Sequence, residues 1–426
     1  MNIFFPPFFA SKIATRKMNS HLLVRMRQAA PFALVLVSAA VAVADYLQAL
    51  HFQFVSDDLS YLPENTKLLG LHPSELWRLF AEPFSPHFEF LPLRELSYWF
   101  DFALFGMNPA AFRMDNIMQY LLCLPLVYAT TLGLWRYFRP ADSAGAPWAA
   151  AAVTALFALH PALVESVVWI SGRKYVLPNL FSMLAFWFAV SARRERGLSS
   201  RYAAATLLAF VAVMFSKASY VGVAPAIAML WIIFWLDIPA QHRQSAQLLW
   251  PCGILFLAGL LTLIFIVNNN GTDGMSFYFG VEAVTQTLAV LGWLARLAVS
   301  PENRHLFYPV FEDPDLAVMV AIGGMVLAAA ATGAVMAMRR RSLEDFVGVV
   351  FLLLCMPYMQ LIPNHPPSLV SDRYVALAVW PAMLLIVALA WRLKPAPALH
   401  YYSSSRWHGL SRPSSGPATG AVMKCW

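Results

Sequence analysis

Long apolar runs separated by short charged segments fill the chain from residue 31 to residue 392. A helix needs about 20 apolar residues to cross a bilayer, or about 17 at the short end. By that rule the candidate spans are 31–50, 116–138, 148–168, 176–192, 202–218, 220–236, 248–267, 315–338, 345–362 and 374–392. A further run, 283–299, contains Arg296 and reads as an interfacial or re-entrant helix. The pattern predicts an all-α polytopic membrane protein with about ten transmembrane helices.

The polar segments between the runs predict an orientation. Arg136 and Arg139, then Arg193, Arg194, Arg196 and Arg201, then Arg243, then Arg339, Arg340 and Arg341 lie in short connections. Basic residues in such connections stay on the cytoplasmic side. All of them satisfy that rule if the N-terminus is inside and 283–299 does not cross. Residues 1–30 form a basic N-terminus with Lys12, Arg16, Lys17, Arg25 and Arg27 and no acid. The run after it lacks a small-residue cleavage site, so it is expected to be a retained helix, not a removed signal peptide. Loop 51–115, turn 161–175, segment 268–314 and loop 363–373 then share the outer side.

Loop 51–115 is the largest polar piece within the membrane region 31–392, with nine acids against four bases. Within it, residues 91–104 carry apolar side chains at helical spacing beside Arg94, Glu95 and Asp101. That spacing predicts an amphipathic helix lying along the interface; the plain alternative is a solvated loop. The tail 393–426 is rich in Ser, Pro and Gly and reads as disordered.

Composition agrees with the pattern. The 426 residues are 59% hydrophobic and 12% charged, about half the charge of a soluble domain. Mean hydropathy is +0.59. The formal charge of +7 lies in the connections and forms no basic stripe interleaved with aromatic residues, which excludes a nucleic-acid partner. Cys123, Cys252 and Cys355 lie in apolar runs and Cys425 near the end, with no CxxC and no Cys–His spacing. Neither a zinc site nor a disulfide framework is indicated.

Three polar constellations could carry chemistry. Asp57-Asp58 follows the first span directly, where ionisable groups are costly and mark a site or sit just outside in water. One carboxylate, Asp58 first and Asp57 second, could act as general base toward an acceptor hydroxyl. A helix cap, a solvated turn or a metal-ligand pair would also use two acids. The second is His160-Pro161-Ala162-Leu163-Val164-Glu165-Ser166-Val167-Val168-Trp169-Ile170-Ser171-Gly172-Arg173-Lys174. It joins spans three and four by a structured outer turn, and its basic pair lies where positive charge is least expected. Arg173 and Lys174 could hold an anionic phosphate, by a guanidinium fork and a point charge respectively, or simply snorkel to lipid headgroups. In the third, Ser371-Asp372-Arg373-Tyr374, Arg373 could add a contact to the same phosphate, while an Asp–Arg anchor serves structure equally well. Lys217 is a weaker candidate for the phosphate, and His305, Tyr308 and Glu312 for an acceptor groove.

Together these residues resemble the polytopic GT-C glycosyltransferases, nearest to the protein O-mannosyltransferase-like branch with C-terminal tetratricopeptide repeats. Phe90-Leu91-Pro92-Leu93, Gly106-Met107-Asn108-Pro109, Asn116 and Asp372-Arg373-Tyr374 carry the likeness further, over about residues 31–392. The resemblance implies inverting transfer of a hexosyl- or pentosyl-type sugar from a polyprenyl-phosphate donor to a hydroxyl of protein, lipid or glycan. No cofactor is indicated, and a divalent metal is possible but not indicated, because protein cations could neutralise the single donor phosphate in its place. It implies a catalytic role for Asp58 or Asp57, phosphate contacts from Arg173, Lys174 and Arg373, and support from His160, Glu165, Arg94 and Asp372. The site would face outward from a multi-pass protein of the bacterial inner membrane. Leu91 stands where the family carries Arg, and Arg113 and Gln119 where His is frequent. The family continues past residue 392 with another span and repeats, so a truncated or frame-shifted reading is expected here. The competing readings are a lipid-linked sugar transporter or flippase, and an inactive scaffold.

Overall fold

The computed structural model describes residues 20–85, 89–194, 197–242, 280–300, 315–359 and 368–393, with 252, 253, 255, 259, 260, 308 and 310 between them. The basic N-terminus up to residue 19, most of span 248–267, His305, Glu312 and nearly all of the tail lie outside the described residues.

The fold is helical. In chain order the helices are α1 (Ser20–Leu47), α2 (Asp57–Tyr61), α3 (Thr66–Leu69), α4 (Pro92–Phe105), α5 (Pro109–Phe138), α6 (Ala146–Ala158), α7 (Leu163–Val168) and α8 (Arg173–Ser191). They continue with α9 (Ser200–Ser216), α10 (Val223–Leu236), α11 (Val281–Val299), α12 (Leu316–Arg340), α13 (Leu343–Cys355) and α14 (Val379–Arg392). The described strands are two residues each, β1 (Arg193–Arg194) and β2 (Gly197–Leu198), paired antiparallel between α8 and α9. Among the described residues, four segments are long and apolar enough to cross a membrane: Ala29–His51, Pro109–Phe138, Ala218–Leu236 and Leu316–Arg340. The shorter apolar helices are α6, α9 and α14. The chain is a multi-pass membrane protein.

Prolines account for most differences from the predicted runs. Run 148–168 is not one helix: α6 stops at Ala158 and, after His160-Pro161, the chain restarts as the short α7. Proline has no N–H to donate and crowds the preceding turn, which favours a break here, although α1, α5 and α8 run through Pro31, Pro125 and Pro178. Run 345–362 likewise ends as a helix at Cys355, before a 3-10 turn containing Pro357. Conversely α5 begins seven residues earlier than its run. There Gly106, at φ 64, closes α4 in a left-handed conformation. Asn108 then caps α5 by accepting from the Ala110 N–H at 3.1 Å, with Pro109 at the first helical position. The predicted interfacial stretch 91–104 is the helix α4.

Two bodies of apolar side chains result. The large core is built from α1, α5, α6 and α8 to α14. Loop 51–115 folds into a cap over it with a small core of its own, in which Tyr61, Leu62, Leu68, Leu79, Tyr98 and Phe112 pack with Ile170 of the α7–α8 turn. At the far end of α5 from the cap, Arg139 and Arg392 converge on Glu344, while Tyr137 and Arg341 converge on Asp237. Arg193 lies over the Tyr137 ring at 4.8 Å. Three of the connections expected to share one side therefore do meet at one end.

Helices α11 and α12 cross through two glycines. A Cβ on Gly292 would lie 2.0 Å from the Met319 carbonyl oxygen, and one on Gly323 would lie 2.0 Å from the Leu288 carbonyl oxygen. Neither backbone can retreat without opening the crossing. Gly324, one residue on, has nothing within 4 Å of an added Cβ. Gly323→Val is expected to cost roughly 1–3 kcal/mol through overpacking and to lower the thermal midpoint in detergent. Gly324→Ala is expected to leave that midpoint unchanged or raise it, since alanine favours helix.

Candidate functional site

The cap and the α7–α8 turn are joined by buried polar groups. Asp58 is fully buried. Its Oδ1 accepts from the Ser171 backbone N–H at 2.8 Å and from the Ser171 hydroxyl at 2.6 Å, and its Oδ2 accepts from the Val55 N–H at 3.2 Å. Burial raises its carboxyl above the ordinary range, and the bonds from Ser171 and Val55 with the Arg113 charge act against that rise. Asp57, one residue earlier, is only half-buried, and the Ser56 hydroxyl approaches its carboxylate at 3.4 Å. Asp57 is close enough to Lys174 and Tyr61 to act on the ionisation of both.

Arg173 is turned into the protein. Its side chain is fully buried. Nε donates to Asn116 Oδ1 at 2.7 Å, Nη2 to the Phe112 carbonyl at 2.7 Å and Nη1 to the Ser97 hydroxyl at 3.2 Å. Nη1 also sits 2.6 Å from Asp101 Oδ2 and 3.1 Å from Asp115 Oδ2. The guanidinium thus ties α8 to α4 and α5, and all three of its nitrogens are engaged by protein. Burial first, and Asp115 after it, push the Asp101 carboxyl up to about 6, against the pull of Arg173.

The same turn is gripped from α5. Asn116 Nδ2 donates to the carbonyls of Val167 at 3.3 Å, Trp169 at 3.0 Å and Ile170 at 3.4 Å. Tyr98 donates to the Ile170 carbonyl at 2.9 Å. Arg113 donates to the Val168 carbonyl at 3.2 Å and to the carbonyls of Phe52 and Gln53. The departure from His at position 113 therefore supplies a tether for the segment that leads to Asp57. Gly172 is required by contact: an added Cβ would lie 2.4 Å from the Ser166 carbonyl oxygen.

Lys174 does face a polar cluster. Its Nζ is 3.2 Å from the Tyr61 hydroxyl and 3.3 Å from Glu89 Oε2. Glu89 Oε2 also accepts from Tyr61 at 2.9 Å and from Arg94 Nη1 at 3.2 Å. Arg94 is buried over the Tyr61 ring at 4.2 Å and paired with Glu95. Half-buried Lys217 lies over the Tyr175 ring at 4.7 Å. Burial opposes the charge on Glu89, but Lys174, Lys217 and Arg94 outweigh it and hold that carboxyl far below its usual range. Burial lowers Lys174 to about 8, helped by Lys217 and Arg94 and opposed by Glu89.

Arg373 is paired with Glu165, whose Oε2 also accepts from the Arg373 backbone N–H at 3.1 Å and from the Ser371 hydroxyl at 3.0 Å. Asp372 accepts from the Tyr308 hydroxyl at 2.7 Å. His160 Nδ1 accepts from the Ala162 N–H at 3.3 Å and lines a separate cavity of about 280 Å³ with Asp45 and Tyr46. The structure thus brings Asp57, Lys174, Arg94 and Lys217 around Glu89, and holds Glu165, Arg373 and Asp372 together in a second group. Glu89 and Tyr61 were not among the expected site residues. The signal for Glu89 is a carboxylate set between Phe88 and Phe90, an apolar setting that calls for a buried partner.

The chain resembles the protein O-mannosyl-transferases. It is 30% identical over 172 residues to protein O-mannosyl-transferase TMTC2 of Mus musculus, covering 39% of this chain and 20% of that protein. It is 32% identical over 151 residues to protein O-mannosyl-transferase TMTC1 of Mus musculus, covering 33% of this chain and 15% of the relative. With protein O-mannosyl-transferase TMTC4 of Mus musculus the match is 25% over 262 residues, 55% of this chain and 35% of the relative. The matched stretch spans about a fifth of the first relative's length. No family model and no solved structure matches the chain.

Because Arg173 carries structure, its loss is expected to appear as instability. Arg173→Lys keeps the charge but not the fork that reaches Asn116, Ser97 and Phe112 together. It is expected to cost about 3 kcal/mol, the scale for removing one partner from a buried charged pair, seen as a lower thermal midpoint in detergent.

Proposed function

We propose that the protein is a membrane glycosyltransferase that moves a sugar from a polyprenyl-phosphate donor to a hydroxyl of a protein acceptor. The transferred sugar is mannose by likeness to the named relatives. The observation that carries this reading is a half-buried carboxylate, Asp57, which acts electrostatically on Lys174, itself bonded to Glu89 next to Arg94.

The chemistry needs two things there. An acceptor hydroxyl oxygen attacks the anomeric carbon as the bond from that carbon to the phosphate oxygen breaks, with inversion. The hydroxyl proton passes to a carboxylate, and the leaving polyprenyl phosphate gains the negative charge. Asp57 suits the base, since its carboxylate is not held by backbone donors as that of Asp58 is. Asp58 instead positions α2 against Ser171. Lys174 and Lys217 suit the phosphate: Lys174 shares its charge with Glu89, and among the described residues no carboxylate lies within ion-pair distance of Lys217. Arg94 is turned into the cluster through Glu89 and acts on the phosphate by field alone.

The donor's lipid has a place to lie. An apolar groove of about 360 Å³ between Val221, Ala224, Pro225 and Ala228 on one side and Leu255, Leu260 and Met356 on the other begins four residues after Lys217. A phosphate at Lys217 with its isoprenoid chain along this groove matches a polyprenyl-phosphate donor. The outer face is the side on which the basic connections predict the cap to lie.

Two outcomes test the reading with membranes and a radiolabelled polyprenyl-phosphate mannose. Asp57→Asn is expected to lower kcat at least about a hundredfold, the scale of general-base catalysis, with an unchanged thermal midpoint. Asp58→Asn is expected to lower the midpoint, by roughly 1–3 kcal/mol for an unsatisfied buried group. Full activity in Asp57→Asn would remove Asp57 as the base. The second outcome concerns pH. A lysine lowered to about 8 is charged below that pH and neutral above it. Donor KM is therefore expected to rise as pH passes upward through 8, and Lys174→Gln to show the high KM at every pH.

A further inference from the structure

A groove of about 530 Å³ between α4 and the first turns of α5 takes no part in the reaction proposed above. Its walls are the exposed apolar side chains of Phe100, Leu104, Phe105, Met114 and Met118. Since α5 is long and apolar enough to cross the membrane, this exposed face meets acyl chains.

The floor is polar and of one kind. Gln119 is 7% exposed; its Nε2 donates to Asp115 Oδ2 at 2.6 Å, and its Oε1 has no hydrogen-bond partner. Turning the amide over would set that oxygen against the carboxylate, so the unpartnered end is the carbonyl oxygen, buried in the lining of the groove. Asp101 and Asp115 share the single guanidinium of Arg173, which leaves the floor one negative charge in excess. The unpartnered atom is therefore an acceptor beside an uncompensated charge, under an apolar rim. A ligand that fits must donate hydrogen bonds, carry positive charge and have a hydrocarbon body.

We infer that this groove is a site for a membrane lipid whose headgroup ends in a primary ammonium. The ammonium donates to Gln119 Oε1 and to Asp115, and the acyl chains lie along Leu104, Met114 and Met118. A choline headgroup has no N–H to donate to Gln119. A glycerol headgroup on an anionic phosphate adds charge of the wrong sign. The inference rests on the groove alone and stands apart from the glycosyl-transfer reading.

Native mass spectrometry of the full chain in detergent tests it, with dioleoyl phosphatidylethanolamine, phosphatidylcholine and phosphatidylglycerol offered in competition. The wild type is expected to retain phosphatidylethanolamine over phosphatidylcholine by at least about fivefold, the scale of one charge-assisted hydrogen bond. Gln119→Leu and Asp115→Asn are expected to bring that ratio close to one. Equal retention of the two lipids by the wild type would overturn the inference, and this comparison needs no variant to fold. A preference undiminished in both variants would overturn it as well, by locating the lipid elsewhere.

Discussion

The structure depends on how one reversal of chain is held, the turn from Trp169 to Lys174 that leaves α7 and enters α8. Between the end of α7 at Val168 and the start of α8 at Arg173 the backbone turns through one 3-10 stretch, Ile170–Gly172, and the polar groups that it leaves over need partners, since unsatisfied buried groups are costly. The cap supplies the partners. Asn116 takes three carbonyls, Tyr98 shares one of these, Asp58 takes the Ser171 N–H, and Arg173 returns the contact to α4 and α5. Cap and membrane helices therefore form one body, since neither side's buried groups are satisfied without the other. This explains why a fully buried arginine is tolerated: its three nitrogens are all engaged, with two carboxylates beside it.

A consequence is a division between neighbouring residues of opposite roles. Arg173 points inward to structure, while Lys174, one position on and so about 100° around the helix, points to Glu89 and Tyr61. Asp58 and Asp57 repeat the arrangement at the start of α2. The backbone at Ser56, φ 50, is in a region that side chains rarely adopt. Such a conformation costs about 1–3 kcal/mol and persists only where the surroundings enforce it. Here the tether from Arg113 to Phe52 and Gln53 and the anchor from Asp58 to Ser171 enforce it from both ends. The result fixes which carboxylate is buried and which is left at the mouth.

Much of this was legible in residues 31–392 without coordinates. The apolar runs locate most helices, and Gly106-Met107-Asn108-Pro109 spells out a left-handed stop, a cap and a helix start. The block from His160 to Lys174 stands out because it interrupts an apolar run with groups that need partners. What the pattern could not show was where each of a pair points. Arg173 and Lys174 look alike as adjacent cations, and Asp57 and Asp58 as adjacent anions. The difference between them is decided by residues far along the chain, Asn116 at 57 positions from Arg173 and Ser171 at 113 positions from Asp58 among them. Proline at 161 and 357 likewise shortened runs that hydropathy alone extended, because hydropathy does not record a missing N–H donor.

The electrostatic state of the mouth follows from the same geometry. Glu89 is held ionised by three cations, and two of these, Lys174 and Arg94, bond to it directly. Arg94 is also paired with Glu95, so Glu89, Glu95 and Asp57 all act on the cluster of Lys174, Lys217 and Arg94. An anion of one or two charges entering there would replace Glu89's partial hold on Lys174 and raise that lysine's tendency to stay protonated.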